Sequence, residues 1–181
     1  VTTEFENVPA TSLETIAEHI PVRPSADNIR IARDRILEKK AIRDSGLDTV
    51  EYHVIQNESD FDQALQNISL PAILKTATLG YDGKGQSVIS QQSDLATAFQ
   101  KLGAKPCVLE QRIELACEIS IVLTRSICGH IVTFDAAENS HKDGILDVSI
   151  IPARVPAEIT GKAEKMARIL AEELDYCGVL T

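Results

Sequence analysis

Residues 74–88, LKTATLGYDGKGQSV, constrain the fold most, because three glycines separate two short apolar runs. These runs, PAILK at 71–75 and QSVI at 86–89, have the length and composition of β-strands. Glycine accepts a left-handed backbone and leaves space beside the main chain, so the segment can turn sharply or fold over an anion. Lys75 and Lys84 add positive charge at its two ends. These residues leave two interpretations open: the turn of a β-hairpin, and a flexible cover for phosphate groups.

The glycine segment matches neither common phosphate-binding motif. Gly83 and Lys84 are followed by Gly85, where a Walker A loop has Ser or Thr, and the spacing also differs from G-x-G-x-x-G. Lys75 itself has two interpretations, a phosphate ligand or an edge-strand lysine whose ammonium group reaches solvent.

Charge and cysteine content limit the partners of the chain. A net charge of -9 over 181 residues argues against nucleic acid or an anionic membrane as the main partner, since polyanions select basic surfaces. The four cysteines include no C-x-x-C pair, which argues against a zinc site and a disulfide framework and favours reduced thiols in the cytoplasm. No apolar run approaches the roughly 20 residues of a membrane-spanning helix. The chain starts at Val1 and stops within the apolar run GVLT, so we expect a piece of a longer protein.

Helix and strand patterns alternate irregularly, which predicts an α+β fold rather than a regular doubly wound α/β sheet. Composition shifts near Gly46 and Arg112 divide the chain into three parts. The middle part has only about 65 residues, which predicts a thin core, marginal stability and movement as a lid. Predicted helices cover 26–45, a short stretch after a capping box at 59–62, 93–101 and a stretch from 157 onward. Predicted strands cover 50–54, 71–75, 86–89, 107–110, 118–124 and 130–134.

Two carboxylates accompany the predicted strands that follow the glycine segment. Glu110 ends one strand and Glu118 interrupts the next. A carboxylate just past a buried strand can accept hydrogen bonds from ribose hydroxyls or from an exocyclic amine. The alternative is that both side chains simply face solvent.

Other charged residues give weaker signals. His141 and Asp143 could begin a metal site, but no nearby residue completes it, so a loop or packing role is the alternative. Arg154 lies among apolar residues of the same segment. Arg35 and Arg43 project from the first predicted helix about two turns apart, and a solvated helix face also explains them.

Three strings in combination resemble a known family. They are LKTATLGYDGKGQ at 74–86, VLEQRIELACEIS at 108–120 and AENSHKDGILDVSIIPARV at 137–155. In this order and at these separations they are similar to the N5-carboxyaminoimidazole ribonucleotide synthases of purine biosynthesis, an ATP-grasp family. EFENVPA at 4–10 and the segment 24–47 resemble the same family, so the likeness extends over essentially the whole chain.

The resemblance implies a partial ATP-grasp fold with a small lid domain. Residues 1–25 would be the tail of a preceding α/β domain with its linker, and 26–48 a connecting helix. Residues 49–112 would form the lid domain with the glycine loop, and 113–181 the first part of the C-terminal ATP-grasp domain.

The resemblance also implies a binding site for ATP. Arg35 and Lys75 would approach the phosphates, and residues 80–86 would close over them. Glu118 would accept the ribose hydroxyls, and His141 would lie near the nucleotide end of the site. The implied adenine-pocket residues are Glu110, Gln111 and Ile113. The full implied ATP-binding set is Arg35, Lys75, Gly80, Tyr81, Asp82, Gly83, Lys84, Gly85, Gln86, Glu110, Gln111, Ile113, Glu118 and His141.

A second set of residues would face the acceptor substrate, 5-aminoimidazole ribonucleotide. The resemblance places Tyr81, Asp82, Lys84 and Arg154 in this set. In the implied reaction, bicarbonate attacks the γ-phosphate of ATP to give carboxyphosphate, whose carboxyl group the amine of the ribonucleotide then captures. Catalysis of this kind relies on positioning and on neutralisation of phosphate charge.

Some parts of the family pattern are missing from the chain. The Mg²⁺ that accompanies ATP is expected to have its carboxylate ligands beyond Thr181, with no metal ligand within this chain. The segment 76–78 lacks the basic residue often found before the glycine loop. We therefore expect this chain alone to bind nucleotide weakly and not to turn over, while the full-length protein is expected to be a homodimer.

Two alternatives to this function remain open. The protein could be another ATP-grasp ligase or carboxylase with a different acceptor. It could also be a module that only binds nucleotide or serves as a scaffold.

Overall fold

The computed structural model describes residues 1–3, 5, 7–80, 84–142 and 144–181. Its mixture of helices with antiparallel sheets is the predicted α+β class. The helices are α1 Ala10–Ala17, α2 Ala26–Arg33, α3 Arg35–Asp44, α4 Phe61–Asn67, α5 Asp94–Lys101 and α6 Ala157–Glu173, and a 3-10 turn covers Glu58–Asp60. The strands are β1 Tyr52–Ile55, β2 Ala72–Thr76, β3 Gln86–Ile89, β4 Cys107–Gln111, β5 Glu118–Ser120, β6 Leu123–Arg125, β7 Ile131–Thr133, β8 Ala137–Lys142, β9 Ile145–Ile150 and β10 Gly178–Leu180.

A four-stranded antiparallel sheet, in the order β1-β4-β2-β3, forms the middle of the chain. Side chains alternate between its two faces, as strand geometry requires. One face, with Leu74 and Leu109, packs on α4 and α5 in the most populated buried cluster of the described residues, which also contains Phe99. The thin core and marginal stability expected for this part of the chain stay predictions. Movement of this part as a lid stays a prediction.

The other face of this sheet carries its polar groups. Tyr52 and Ile73 both pair with Glu110 in the register, and Lys75 lies two positions beyond Ile73 on the same face. Helix α3 lies against this face, because its Lys39 contacts both Tyr52 and Glu110. The sheet thus presents a buried carboxylate and two lysines at the junction with α3.

The single helix predicted over 26–45 is wrong, because Asp34 separates α2 from α3. Its backbone is extended, with φ -125° and ψ 111°. Its side chain accepts hydrogen bonds from the N–H groups of Ile36 and Leu37 at 2.8 and 3.3 Å. Aspartate competes in this way for backbone donors, so it favours the start of a helix over the interior. The consequence is that Arg35 begins α3.

The single strand predicted over 118–124 is also wrong. It divides into β5, which pairs with β8, and β6, which pairs with β7 and β10. The sheet β5-β8-β9 and the sheet β10-β6-β7 are separate. Helix α6 covers the second of these through a cluster of Leu123, Ala171 and Tyr176.

The predicted hairpin between 118–124 and 130–134 does occur between β6 and β7, with its turn at Gly129. Near the start of the chain, α1 and α2 share a small cluster of Leu13, Val22 and Ile29. In the described ranges, every helix is too short or too polar to cross a bilayer.

Candidate functional site

Glu110 lies at the centre of a three-membered ion network. Its Oε2 accepts a hydrogen bond from Nζ of Lys75 at 2.7 Å, and its Oε1 lies 3.1 Å from Nζ of Lys39. The Glu110 side chain is only 7% exposed, that of Lys39 13% and that of Lys75 25%. Burial alone would raise the pKa of Glu110, but the two ammonium groups outweigh it and hold that pKa below its ordinary value. Glu110 is therefore an ionised, buried carboxylate at neutral pH.

The residues of this network come from three elements, β2, β4 and α3. Lys75 and Glu110 lie on neighbouring strands and on the same face of the sheet. Lys39 is supplied by α3 and also lies 5.3 Å from the ring centre of Tyr52, where Arg43 approaches to 4.2 Å. Arg43 is thus stacked on an aromatic ring rather than only solvated.

Glu38 is the next carboxylate of the same helix face. Burial raises the pKa of Glu38, and the positive charges of Arg35 and Lys39 offset only part of this rise. A cavity of about 130 Å³ opens beside it. The cavity is lined by Asn7, Ala32, Arg33, Arg35, Glu38, Ala77, Leu79 and Gly80.

Arg35 fixes the base of the glycine segment. Its backbone N–H donates to the carbonyl of Ala77 at 2.8 Å, and its Nη2 donates to the carbonyl of Gly80 at 3.1 Å. The segment connects β2 to β3, so the hairpin interpretation of this stretch is correct. A hairpin connection is also compatible with a phosphate cover, which stays a prediction.

Close packing at the base explains the glycines there. A Cβ on Gly85 would lie 2.7 Å from Oγ1 of Thr76, and the Gly85 backbone has φ +75°. A Cβ on Gly80 would lie 3.1 Å from Nη2 of Arg35. Within the described residues, Oγ1 of Thr76 is buried without a hydrogen-bond partner. The two glycines therefore let the hairpin ends approach each other over this threonine.

For the other predicted residues of the glycine segment, the structure gives fewer contacts. Tyr81, Asp82 and Gly83 lie outside the described residues, as does Asp143. Lys84 is exposed, and Gln86 begins β3 opposite Lys75. Their predicted contacts with phosphates and with the acceptor stay predictions.

Glu118 and His141 form a second pair, on the β5-β8-β9 sheet. Nδ1 of His141 lies 2.7 Å from Oε2 of Glu118, and the two side chains are 37% and 48% exposed. They lie on a different sheet from Lys75 and Glu110. The structure thus brings the predicted residues together in two groups rather than one.

Three further predicted residues have separate surroundings. Gln111 accepts a hydrogen bond from the N–H of Ser69 through its side-chain oxygen at 3.1 Å. Ile113 is exposed. Arg154 donates hydrogen bonds to both carboxylate oxygens of Glu138, from Nη2 to Oε1 at 2.7 Å and from Nε to Oε2 at 3.1 Å. This pairing lowers the pKa of Glu138. Arg154 therefore has Glu138 as its anionic partner.

Lys39 and Glu38 were missed by the sequence analysis. A signal for them was present, because positions 35, 38 and 39 share one face of a helix by the i, i+3, i+4 rule. Helical spacing from Arg35 therefore points to both residues.

A metal centre is not assembled by the described part of the chain. It contains no group of three or more His, Cys, Asp or Glu residues arranged to hold a metal ion. The described residues therefore do not fit a Mg²⁺ site by themselves, and its predicted ligands beyond Thr181 stay a prediction.

Comparison with known proteins finds relatives that match almost the whole chain. The chain is 42% identical over 180 residues to the N5-carboxyaminoimidazole ribonucleotide synthase of Pseudomonas aeruginosa, which covers 99% of this chain and 49% of the relative. It is 38% identical over 180 residues to the Bacillus subtilis protein of the same name, covering 99% of this chain and 47% of the relative. The chain thus spans about half the length of the curated relatives it matches.

A solved structure and a family model also match the chain. The solved structure is an ADP complex of an N5-carboxyaminoimidazole ribonucleotide synthetase, with TM-score 0.90 and 36% identity over 97% of this chain and 47% of the other. The model of the ATP-grasp domain matches residues 40–181. The chain belongs to the ATP-grasp family.

Proposed function

We propose that the protein containing this chain uses ATP to carboxylate 5-aminoimidazole ribonucleotide with bicarbonate, giving N5-carboxyaminoimidazole ribonucleotide for purine biosynthesis. The observation that carries the proposal is the cationic site of Lys75, Lys39 and Arg35, gathered beside the glycine segment at the edge of a small sheet. The names of the relatives support the choice of acceptor.

In this proposal Lys75 and Arg35 contact the phosphates of ATP, and residues 80–86 close over them. Backbone N–H groups of a glycine-rich turn can approach phosphate oxygens closely, because no Cβ stands in the way. Glu110, Gln111 and Ile113 line the base pocket. A carboxylate there can accept a hydrogen bond from the exocyclic amine of adenine.

Glu118 accepts hydrogen bonds from the ribose hydroxyls, and His141 orients the Glu118 side chain. The 2.7 Å contact between them uses one carboxylate oxygen and leaves lone pairs of the other for a hydroxyl donor. Tyr81, Asp82, Lys84 and Arg154 form the proposed acceptor side. Arg154 would have to exchange Glu138 for the ribonucleotide phosphate, and its planar fork suits both partners.

The reaction then proceeds in two balanced steps. A bicarbonate oxygen attacks the γ-phosphorus, the bond to the β-phosphate oxygen breaks, and ADP leaves with carboxyphosphate formed. The amine of the ribonucleotide next attacks the carboxyl carbon, and inorganic phosphate leaves as the amine loses a proton. The side chains of this half bind and orient the triphosphate, neutralise its charge and keep water away from carboxyphosphate.

By the resemblance of its motifs, we also propose that the whole protein uses Mg²⁺ with ATP, takes bicarbonate as the carboxyl source, lies in the cytoplasm and forms a homodimer. The proposed domain boundaries lie at 25, 48 and 112.

The test is substrate-dependent ADP release by the whole protein with ATP, Mg²⁺ and bicarbonate. We expect 5-aminoimidazole ribonucleotide to stimulate ADP release strongly and glycinamide ribonucleotide to leave it at the background rate. Lys75→Ala is expected to lower kcat/KM for ATP, and Lys101→Ala, an exposed lysine on α5, serves as the control. Stimulation by glycinamide ribonucleotide alone, or by neither compound, would overturn the proposed acceptor.

A further inference from the structure

The network around Glu110 contains two cations for one carboxylate. Two ammonium groups share a single buried carboxylate, Lys75 on Oε2 and Lys39 on Oε1. Lys39 is the more enclosed of the two, at 13% exposed against 25% for Lys75. It is also held by the ring of Tyr52, which pairs directly with Glu110 in the sheet register.

The proposed function requires Lys75 to contact a nucleotide phosphate, yet its ammonium group already binds Glu110 at 2.7 Å. If Lys75 moved away from a carboxylate that had no other partner, a buried charge would be left unpaired. Removing one partner of a buried ion pair is strongly unfavourable, because the remaining charge is then buried without compensation. That cost would be subtracted directly from the affinity for the nucleotide.

We propose that Lys39 is the resident counter-ion of Glu110, and that its presence frees Lys75 to leave the carboxylate for the phosphates of a nucleotide. Lys39 acts as a positioning residue that does not itself touch the ligand. This inference rests on the proposed function, because it assumes that Lys75 binds phosphate.

The local geometry favours this division of labour. Lys75 lies near the end of β2, one residue before Thr76, whose N–H bonds to the carbonyl of Gly85 at the base of the glycine segment. Lys39 lies in the second turn of α3, behind the carboxylate and over Tyr52. The more exposed lysine is therefore the one beside the proposed phosphate cover, and the more buried one is positioned to stay with Glu110.

The experiment is a double-mutant cycle on ligand affinity, measured by calorimetry with ATP and with inorganic tripolyphosphate. The variants are Lys39→Met, Glu110→Gln and the combination of both. With Glu110 present, Lys39→Met is expected to weaken the binding of both ligands by about tenfold. This is less than the full effect of an unpaired buried charge, because Lys75 is partly solvated. In the Glu110→Gln background the same change is expected to alter affinity by less than about twofold, because no carboxylate then needs a counter-ion.

Matched controls separate this role from general charge and from folding. Lys40→Met removes the neighbouring charge, which is exposed and pairs with Asp44, and is expected to leave affinity unchanged. Lys39→Arg keeps a cation on the carboxylate and is expected to bind both ligands as the wild type does. Circular dichroism of each variant reports its folding.

The outcomes distinguish failure of the proposed role of Lys39 from failure of the proposed function. An equal loss with Lys39→Met in both backgrounds would mean that Lys39 attracts phosphate directly, and it would overturn the inference. So would no loss in the Glu110 background, a failure of Lys39→Met to fold, or an Lys39→Arg protein as weak as Lys39→Met. If Lys75→Ala binds tripolyphosphate as well as the wild type does, or the wild type binds neither ligand, the proposed function falls and this inference falls with it.

Discussion

Two carboxylates at the junction of α3 and the four-stranded sheet have pKa values that are shifted in opposite directions from the ordinary value. Burial raises the pKa of Glu38, whereas the ammonium groups of Lys75 and Lys39 overcome burial and lower that of Glu110. The difference follows from contacts, because Glu110 has two direct cationic partners. The pKa of Glu38 is raised by burial, which outweighs the longer-range charges of Arg35 and Lys39.

The two shifts predict opposite effects of amide substitutions on stability. The raised pKa of Glu38 means that its ionisation opposes folding, so Glu38→Gln should raise the free energy of unfolding at pH 7. That gain should vanish as the pH falls through the raised pKa towards the ordinary value of 4.5. Glu110→Gln should instead lower the free energy of unfolding above pH 4.5, and this loss should shrink as the pH falls through the lowered pKa. Urea denaturation from pH 3 to 8 measures both, and shifts of the same sign would contradict the assignment.

Gly85 provides a second prediction, with Gly46 as its control. Both have a left-handed backbone, at φ +75° and +74°, but a Cβ meets Thr76 at 2.7 Å in one case and nothing within 4 Å in the other. Gly46→Ala should cost about 1–2 kcal/mol from the backbone alone. Gly85→Ala should cost more, because Thr76 must also move. Equal midpoints in urea for the two variants would show that the hairpin base is not closely packed.

The helix elements show what residue patterns could and could not predict. The spacing of apolar residues predicts α6, and the length and composition of short apolar runs predict β2 and β3, because these elements contribute apolar residues to a core. The break at Asp34 was not foreseen, because the apolar period continues across it while the side chain caps the second helix.

The strands of the second half were harder for a different reason. All residues of β8 but Ala137, and all residues of β9, are partly or fully exposed, so these strands lack the alternation that marks a half-buried strand. The division between β5 and β6 depends on which sheet each one joins, and that choice depends on distant strands. Glu110 and Lys75 can be named from the sequence, and helical spacing from Arg35 points to Lys39, but only the fold shows that Lys39 contacts Glu110.

The cap of α3 gives a prediction at this scale. Asp34→Ala removes both side-chain hydrogen bonds to the first turn of α3 and should lower the free energy of unfolding by about 1 kcal/mol. Because Arg35 begins that turn, the variant should also bind ATP less tightly. Asp48→Ala, at an exposed position after α3, is the control. No change in either stability or ATP affinity would show that the first turn of α3 does not depend on this cap.

In the whole molecule, the candidate nucleotide ligands are divided between two sheets. Lys75 and Glu110 lie on the four-stranded sheet, and Glu118 with His141 lies on the β5-β8-β9 sheet. The proposed function requires one nucleotide to bridge both groups, with its phosphates at the first and its ribose at the second. This bridging is the central claim, and it makes the two groups energetically dependent on the same ligand.

Calorimetric titration with ATP and Mg²⁺ tests that claim most directly, on the wild type, Lys75→Ala and Glu118→Ala. Exposed Lys101→Ala and Glu173→Ala serve as charge-matched controls. Loss of one charge-assisted contact is worth roughly 1.5–3 kcal/mol, so each site variant should bind ATP at least about tenfold more weakly while the controls match the wild type. Equal affinity of all five proteins for ATP would contradict the account.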